Sequence, residues 1–113
     1  MRVLVLLVAL AALAACATPE ERATRGERAR GHEIALARCG SCHAVGVSGD
    51  SPAPEAPPFR TLSRNYRVDT LEEALAEGIS VGHPAMPQFQ FPAEDVDALV
   101  AYLQSIQEEP QPH

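Results

Sequence analysis

The sequence feature that most restricts this chain is CGSCH at residues 39–43, where two cysteines stand three positions apart and a histidine follows directly. Two cysteines at this spacing serve a redox disulfide, a zinc site or covalent haem attachment, and only haem attachment needs the histidine immediately after the second cysteine. Near a helix end, the thiols of Cys39 and Cys42 would point the same way, so each could add to one vinyl group of a porphyrin. His43 would then be carried to the iron.

The rest of the chain gives little support to a redox disulfide, which would need a βαβ context. No run of alternating or continuous β-branched residues after the motif is long enough for a parallel strand. At 113 residues, with two tyrosines, three phenylalanines and no tryptophan, the chain is one small domain. A core of this size usually needs a disulfide, a metal or a cofactor to supplement its packing.

Charge argues against nucleic acid as a partner. The net charge is −6, and all nine basic residues are arginines, with no lysine. No cationic stripe exists that could neutralise phosphates.

The N-terminus predicts an exported protein. After Met1 and Arg2 come twelve residues without a polar side chain, VLVLLVALAALA, which is the layout of a signal peptide over residues 1–15. A membrane-spanning helix needs about 20 apolar residues. The polar segment from Thr18 ends the run too early for that.

Cys16 ends the segment LAAC, which resembles the lipobox of bacterial lipoproteins and predicts that Cys16 is lipidated. The alternative is cleavage after Ala17, which would discard Cys16. Residues 16–25 are polar without a hydrophobic face and are predicted to be a flexible tether. The folded domain is predicted over residues 26–108, followed by a disordered tail at 109–113.

Three helices are predicted, over residues 26–38, 70–77 and 92–107, from the spacing of their apolar residues. The second helix would begin at Asp69 or Thr70 and end at Gly78. Between the first two lies GVSGDSPAPEAPP, whose glycines and prolines forbid regular structure, and a loop of this length suits a chain that wraps a flat cofactor.

The ligand opposite His43 would separate electron transfer from oxygen chemistry. Met86, between Pro84 and Pro87 in a loop, is the predicted ligand, because the two prolines limit loop motion and keep the sulfur aimed inward. The competitor is His83. The remaining histidines are predicted to lie elsewhere: His32 on a solvated helix face and His113 in the tail.

From about Gly26 to Gln107 the chain resembles class I monohaem c-type cytochromes, with CGSCH, MPQF and ALVAYL in that family's order. The resemblance implies an all-α, small cytochrome c fold of three to four helices around one haem c. Its attachment points would be Cys39 and Cys42, and its axial ligands His43 and Met86.

The resemblance also implies supporting contacts around the ligands. The carbonyl of Pro57, or alternatively of Pro58, would accept the Nδ1 proton of the proximal histidine. Gly31 would let the first and last helices touch closely, with Leu99 and Tyr102 packing over it.

Two departures from the family stand out. Ala35 occupies a position where the family often has an aromatic residue, which predicts a thinner contact between first and last helices unless another residue fills it. The absence of a lysine ring argues against docking of the mitochondrial kind.

With both axial positions filled, the iron could bind no substrate without losing a ligand, so the predicted function is one-electron transfer and not catalysis. We expect a monomer anchored on the periplasmic side of the cell envelope, exchanging electrons with respiratory or dehydrogenase partners at the membrane. Two alternatives stay open: a haem peroxidase or gas-binding protein with a labile Met86, and an electron-input subunit of a larger membrane redox complex.

Overall fold

The computed structural model describes residues 16–78 and 84–109, and within these ranges the chain is helical without any strand. The helical segments, in chain order, are α1 (Pro19–Cys39), a 3-10 helix (Phe59–Arg64), a second 3-10 helix (Val68–Thr70), α2 (Leu71–Glu77) and α3 (Ala93–Ser105). The predicted all-α fold class is confirmed. The predicted signal peptide at 1–15, His83 and His113 all lie outside the described residues.

Helix α1 begins at Pro19, seven residues before the predicted start at Gly26. Its first turn is closed by a capping box, in which the N–H of Glu21 donates to Oγ1 of Thr18 at 3.2 Å and the N–H of Thr18 donates to the Glu21 carboxylate at 2.7 Å. Residues 19–25, assigned to a flexible tether, are therefore helical. Only Gly31 and Ala35 of α1 are buried, so the early turns add nothing to the core.

Helices α1 and α3 form the main packing contact, and Gly31 lies at its closest point. A Cβ at Gly31 would overlap the carbonyl of Ala98 and lie 2.7 Å from Cβ of Tyr102. Ala35 is fully buried beside this crossing. The predicted solvated position of His32 is wrong: its half-buried ring lies 4.9 Å from the Tyr102 ring and supplies an aromatic contact between the two helices.

Helix α3 is buried along most of its length, because it packs on two sides. Ala98 and Tyr102 face α1, and Tyr102, Leu99 and Leu103 belong to the central cluster, which also includes Phe59 of the first 3-10 helix. The Tyr102 hydroxyl also donates to the carbonyl of Val45 at 2.5 Å, which ties α3 to the loop after CGSCH.

The short helix α2 ends as predicted at Gly78, which has a left-handed φ of 72° and donates its N–H to Ala74. Its N-cap position is Thr70, one of the two residues predicted, but the expected side-chain cap is absent. The Thr70 hydroxyl donates to the Arg67 carbonyl, and Asp69 pairs with the Arg67 guanidinium, so neither side chain caps the helix. The chain enters α2 through a 3-10 turn instead.

Candidate functional site

The CGSCH turn grows directly out of the last turn of α1. The backbone N–H groups of Cys42 and His43 both donate to the carbonyl of Cys39, at 3.2 and 3.0 Å. Neither Cys39 nor Cys42 is in a disulfide, and Cys42 is exposed while Cys39 is half-buried. Burial raises the pKa of the Cys39 thiol, and the positive charge of Arg38 opposes that rise.

His43 is oriented from two sides. Its Nδ1 lies 2.8 Å from the carbonyl oxygen of Pro57. Because a carbonyl can only accept, Nδ1 carries the proton in this bond and Nε2 is the nitrogen left to bind a metal. The Pro58 carbonyl is engaged elsewhere, by the N–H and hydroxyl of Thr61. The Phe59 ring packs at 4.8 Å from the imidazole.

The loop after the motif holds this arrangement in place. Ala53 donates its N–H to the carbonyl of Cys42 at 3.0 Å, and Phe59 donates to Ala44 at 2.9 Å. The hydroxyl of Ser51 accepts from the N–H of Ala44. The proline-rich segment therefore curls back on the motif, and this brings the Pro57 carbonyl to His43.

A cavity with two lobes, each about 330 Å³, opens beside His43. Six residues line both lobes: Cys39, His43, Pro57, Met86, Pro87 and Phe89. The structure thus brings the predicted site residues to one space. Cys16 and His32 are not among its lining residues.

The inner lobe is the one lined by residues of α2 and α3, and it is apolar. Leu71, Ala74 and Leu75 of α2 face this lobe and are half-buried. Leu99 and Leu103 of α3 form another part of its wall.

The outer lobe is the one lined by exposed Cys42, and the charged residues Arg38 and Glu55 also line it. Sequence reasoning missed Arg38, together with Tyr66 and Thr70 of the inner lobe, and no pattern marks them. The alternation of apolar residues in MPQFQF could have indicated Phe89.

The side chains that border the cavity suit a haem, which is an iron ion held in a flat, largely apolar ring. One imidazole and one thioether border the same apolar space, and two thiols stand at its edge. In ranges 16–78 and 84–109, no three His, Cys, Asp or Glu side chains gather as they would to hold a bare metal ion. The residues present therefore fit a haem.

Comparison with known proteins agrees with this chemistry. A profile of the family described as cytochrome c oxidase, cbb3-type, subunit III matches residues 26–103, more than half of the chain. The chain belongs to this family. This c-type cytochrome is also 28% identical over 92 residues to cytochrome c-552 of Bradyrhizobium diazoefficiens, across 81% of this chain and 86% of that protein. No solved structure shows significant similarity to the present chain.

Membership has direct consequences for this cytochrome. Cytochromes c carry covalently bound haem c and transfer electrons, so haem binding and electron transport belong to the chain's family. Within the described part of the chain, no helix is long and apolar enough to cross a bilayer.

Proposed function

We propose that this cytochrome is a one-electron carrier of the cell envelope that passes electrons between respiratory or dehydrogenase partners. The observation that carries the proposal is the shared cavity, which His43 and Met86 both border. If both bind the iron, no position is open to a substrate, and outer-sphere electron transfer is the chemistry that remains.

Cys39 and Cys42 would hold a single haem c, since the chain contains one CGSCH motif. Each thiol adds across one vinyl group, its sulfur bonding to one carbon and its hydrogen to the other, so attachment needs no oxidant. The resulting thioethers are no longer thiolates and serve only to hold the macrocycle.

His43 and Met86 would set the electronic character of the site. The Nδ1–H bond to Pro57 fixes the tautomer and makes the imidazole a better donor. The Met86 sulfur is neutral and the inner lobe is apolar, and both favour the ferrous state and hence a comparatively high potential. A haem bound here would supply a one-electron Fe(III)/Fe(II) couple.

The proposal includes export and anchoring. Removal of residues 1–15 would leave Cys16 as the first residue, which is exposed and lies three positions before α1. Lipidation of Cys16 would tether a monomer to the periplasmic side of the membrane and raise its concentration near membrane partners. Cleavage after Ala17 is the competing outcome, and Cys16→Ser tests the anchor, because the variant should leave the membrane fraction.

Visible spectra of the oxidised and reduced holoprotein test the carrier assignment, with Met86→Ala as the matched variant. We expect a six-coordinate, low-spin native protein that binds carbon monoxide slowly, and a variant that binds it rapidly and turns over peroxide. A native protein as reactive as the variant would instead indicate a peroxidase or gas-binding protein. If the Met86→Ala variant stays six-coordinate with a protein nitrogen as the sixth ligand, a histidine such as His83 binds the iron in place of Met86.

A second candidate is favoured by the family description, which names an oxidase subunit. In that case the domain would be the electron-input subunit of a membrane redox complex and not a shuttle. Extraction in mild detergent separates the two: a shuttle elutes as a lipid-anchored monomer, whereas a subunit elutes with larger partners even when Cys16 is replaced by Ser.

A further inference from the structure

Arg38, in the last turn of α1, lies over two aromatic rings that follow Met86 in the chain. Its guanidinium carbon is 5.5 Å from the centroid of Phe89 and 5.9 Å from that of Phe91. The two rings stack on each other with centroids 5.5 Å apart and planes 23° from parallel. Both distances from the guanidinium to a ring centroid lie within the range in which a cation is attracted to a ring face.

The described segment that carries Met86, residues 84–91, makes few hydrogen bonds to the rest of the described chain. Its one hydrogen bond to another described residue is at its end, where the N–H of Phe91 donates to the Leu75 carbonyl at 3.0 Å. Residues 84–90 make none within the described chain. The position of Met86 therefore depends mainly on side-chain contacts of this segment and not on its hydrogen bonds.

Arg38 is well suited to supply such a contact. Four arginines, Arg30, Arg60, Arg64 and Arg67, pair with carboxylates, whereas Arg38 forms no ion pair with any residue in the described ranges. Its charge is thus available to the rings. Arg38 also adjoins Cys39, so the contact links the attachment motif to the Met86 segment.

We propose that Arg38 is a positioning residue, which holds the Met86 segment against the end of α1 through the Phe89 and Phe91 rings and so keeps the sulfur on the iron. The inference rests on the proposed function, in which Met86 is the distal ligand. A cation–ring contact of this kind should change the opening equilibrium of the segment about 3-fold to 10-fold.

Imidazole binding to the ferric holoprotein measures this opening, because added imidazole reaches the iron only after the sulfur leaves. We expect Arg38→Gln to speed imidazole binding by about 3-fold to 10-fold at imidazole concentrations well below saturation, where the observed rate is proportional to the opening equilibrium. Arg38→Lys keeps the charge but loses the planar guanidinium, so it should lie between the wild type and Arg38→Gln. Arg28→Gln, on the exposed early part of α1, is the matched control and should leave the rate unchanged.

A double-variant cycle assigns the effect to the rings. In a Phe89→Leu background, Arg38→Gln should accelerate imidazole binding less than it does in the wild type. Equal acceleration in both backgrounds, or the same acceleration by Arg28→Gln, would overturn the inference.

The outcomes separate this inference from the function on which it rests. If the oxidised wild type lacks the sulfur-to-iron absorption band, Met86 is not the ligand, and both proposals fail together. If the band is present and Arg38→Gln binds imidazole at the wild-type rate, only the role of Arg38 is overturned. Faster deuterium exchange at Phe91 in Arg38→Gln than in Arg28→Gln would support it without any reference to the iron.

Discussion

Gly31 controls how near the attachment motif comes to the helix that walls the cavity. It lies on α1, which leads into CGSCH, and it faces the backbone of α3 at Ala98. Leu99, the next residue on α3, lines the inner lobe. A side chain at Gly31 would therefore push apart two helices that both contribute residues to the cavity lining.

Replacing Gly31 by Ala should lower the free energy of unfolding by about 1–3 kcal/mol, since the added methyl overlaps backbone atoms that have no freedom to move aside. Gly26→Ala is the control within the same helix. Nothing lies within 4 Å of a Cβ at Gly26, so the better helix propensity of alanine should stabilise the protein by up to about 1 kcal/mol. Urea unfolding of both variants measures the difference, and equal stabilities would contradict the close crossing.

Helix α1 shows where a sequence pattern misleads at the level of an element. The apolar spacing that predicts a helix begins only at Gly26, because the early turns have no core to face. Their start is encoded instead by Thr18 and Glu21, a capping-box pair that was visible in the sequence. Hydrophobic periodicity finds helices that pack, whereas end signals also find helices that project into solvent.

Thr18→Ala should release the first turn of α1, at a local cost of about 1 kcal/mol. The backbone N–H of Thr18 donates to the Glu21 carboxylate, and this bond, with a smaller effect from the Thr18 hydroxyl, lowers the pKa of Glu21. A lowered pKa means that this stabilisation is complete above the ordinary glutamate range and is lost as the pH falls through the lowered value.

Amide exchange of residues 19–25 reports the outcome. In the wild type these amides should exchange faster once acid protonates Glu21, after correction for the intrinsic pH dependence of exchange. Thr18→Ala should exchange quickly already at neutral pH. Thr24→Ala is the matched control, since its hydroxyl only donates to the Glu20 carbonyl within the helix. Global unfolding should be unchanged, because these turns add no buried residue.

Across the whole molecule, some cavity-lining residues can be predicted from a local sequence motif, and others are placed by contacts between residues far apart in the chain. CGSCH, the methionine loop and the last helix follow from local patterns. The 3-10 helix Phe59–Arg64 does not, because it depends on Gln107, which donates to the Phe59 carbonyl and accepts from the Ser63 N–H. These partners lie 44–48 positions apart in the chain, and no local periodicity records them.

The molecule also divides into a packed layer and a cavity layer. The packed layer is the crossing of α1 and α3, with the Gln107 contacts below it. The cavity layer is α2 and residues 84–91, which line the lobes; Leu71, Leu75 and Phe91 also pack against the core cluster, but no residue of α2 is buried. In the mature protein the cavity layer would pack against the haem. The stability of the cavity layer should therefore depend on the haem more than the stability of the packed layer does.

Removal of the haem tests that division. A chain carrying Cys39→Ser and Cys42→Ser cannot form the thioethers, and hydrogen exchange compares it with the holoprotein. We expect strong loss of protection at Leu71–Glu77 and residues 84–91, because their apolar groups would face water, and much smaller loss in the second half of α1 and in α3. Equal loss of protection throughout would mean that the haem is required for the helix crossing itself. Unchanged protection at α2 would mean that the haem does not stabilise this helix.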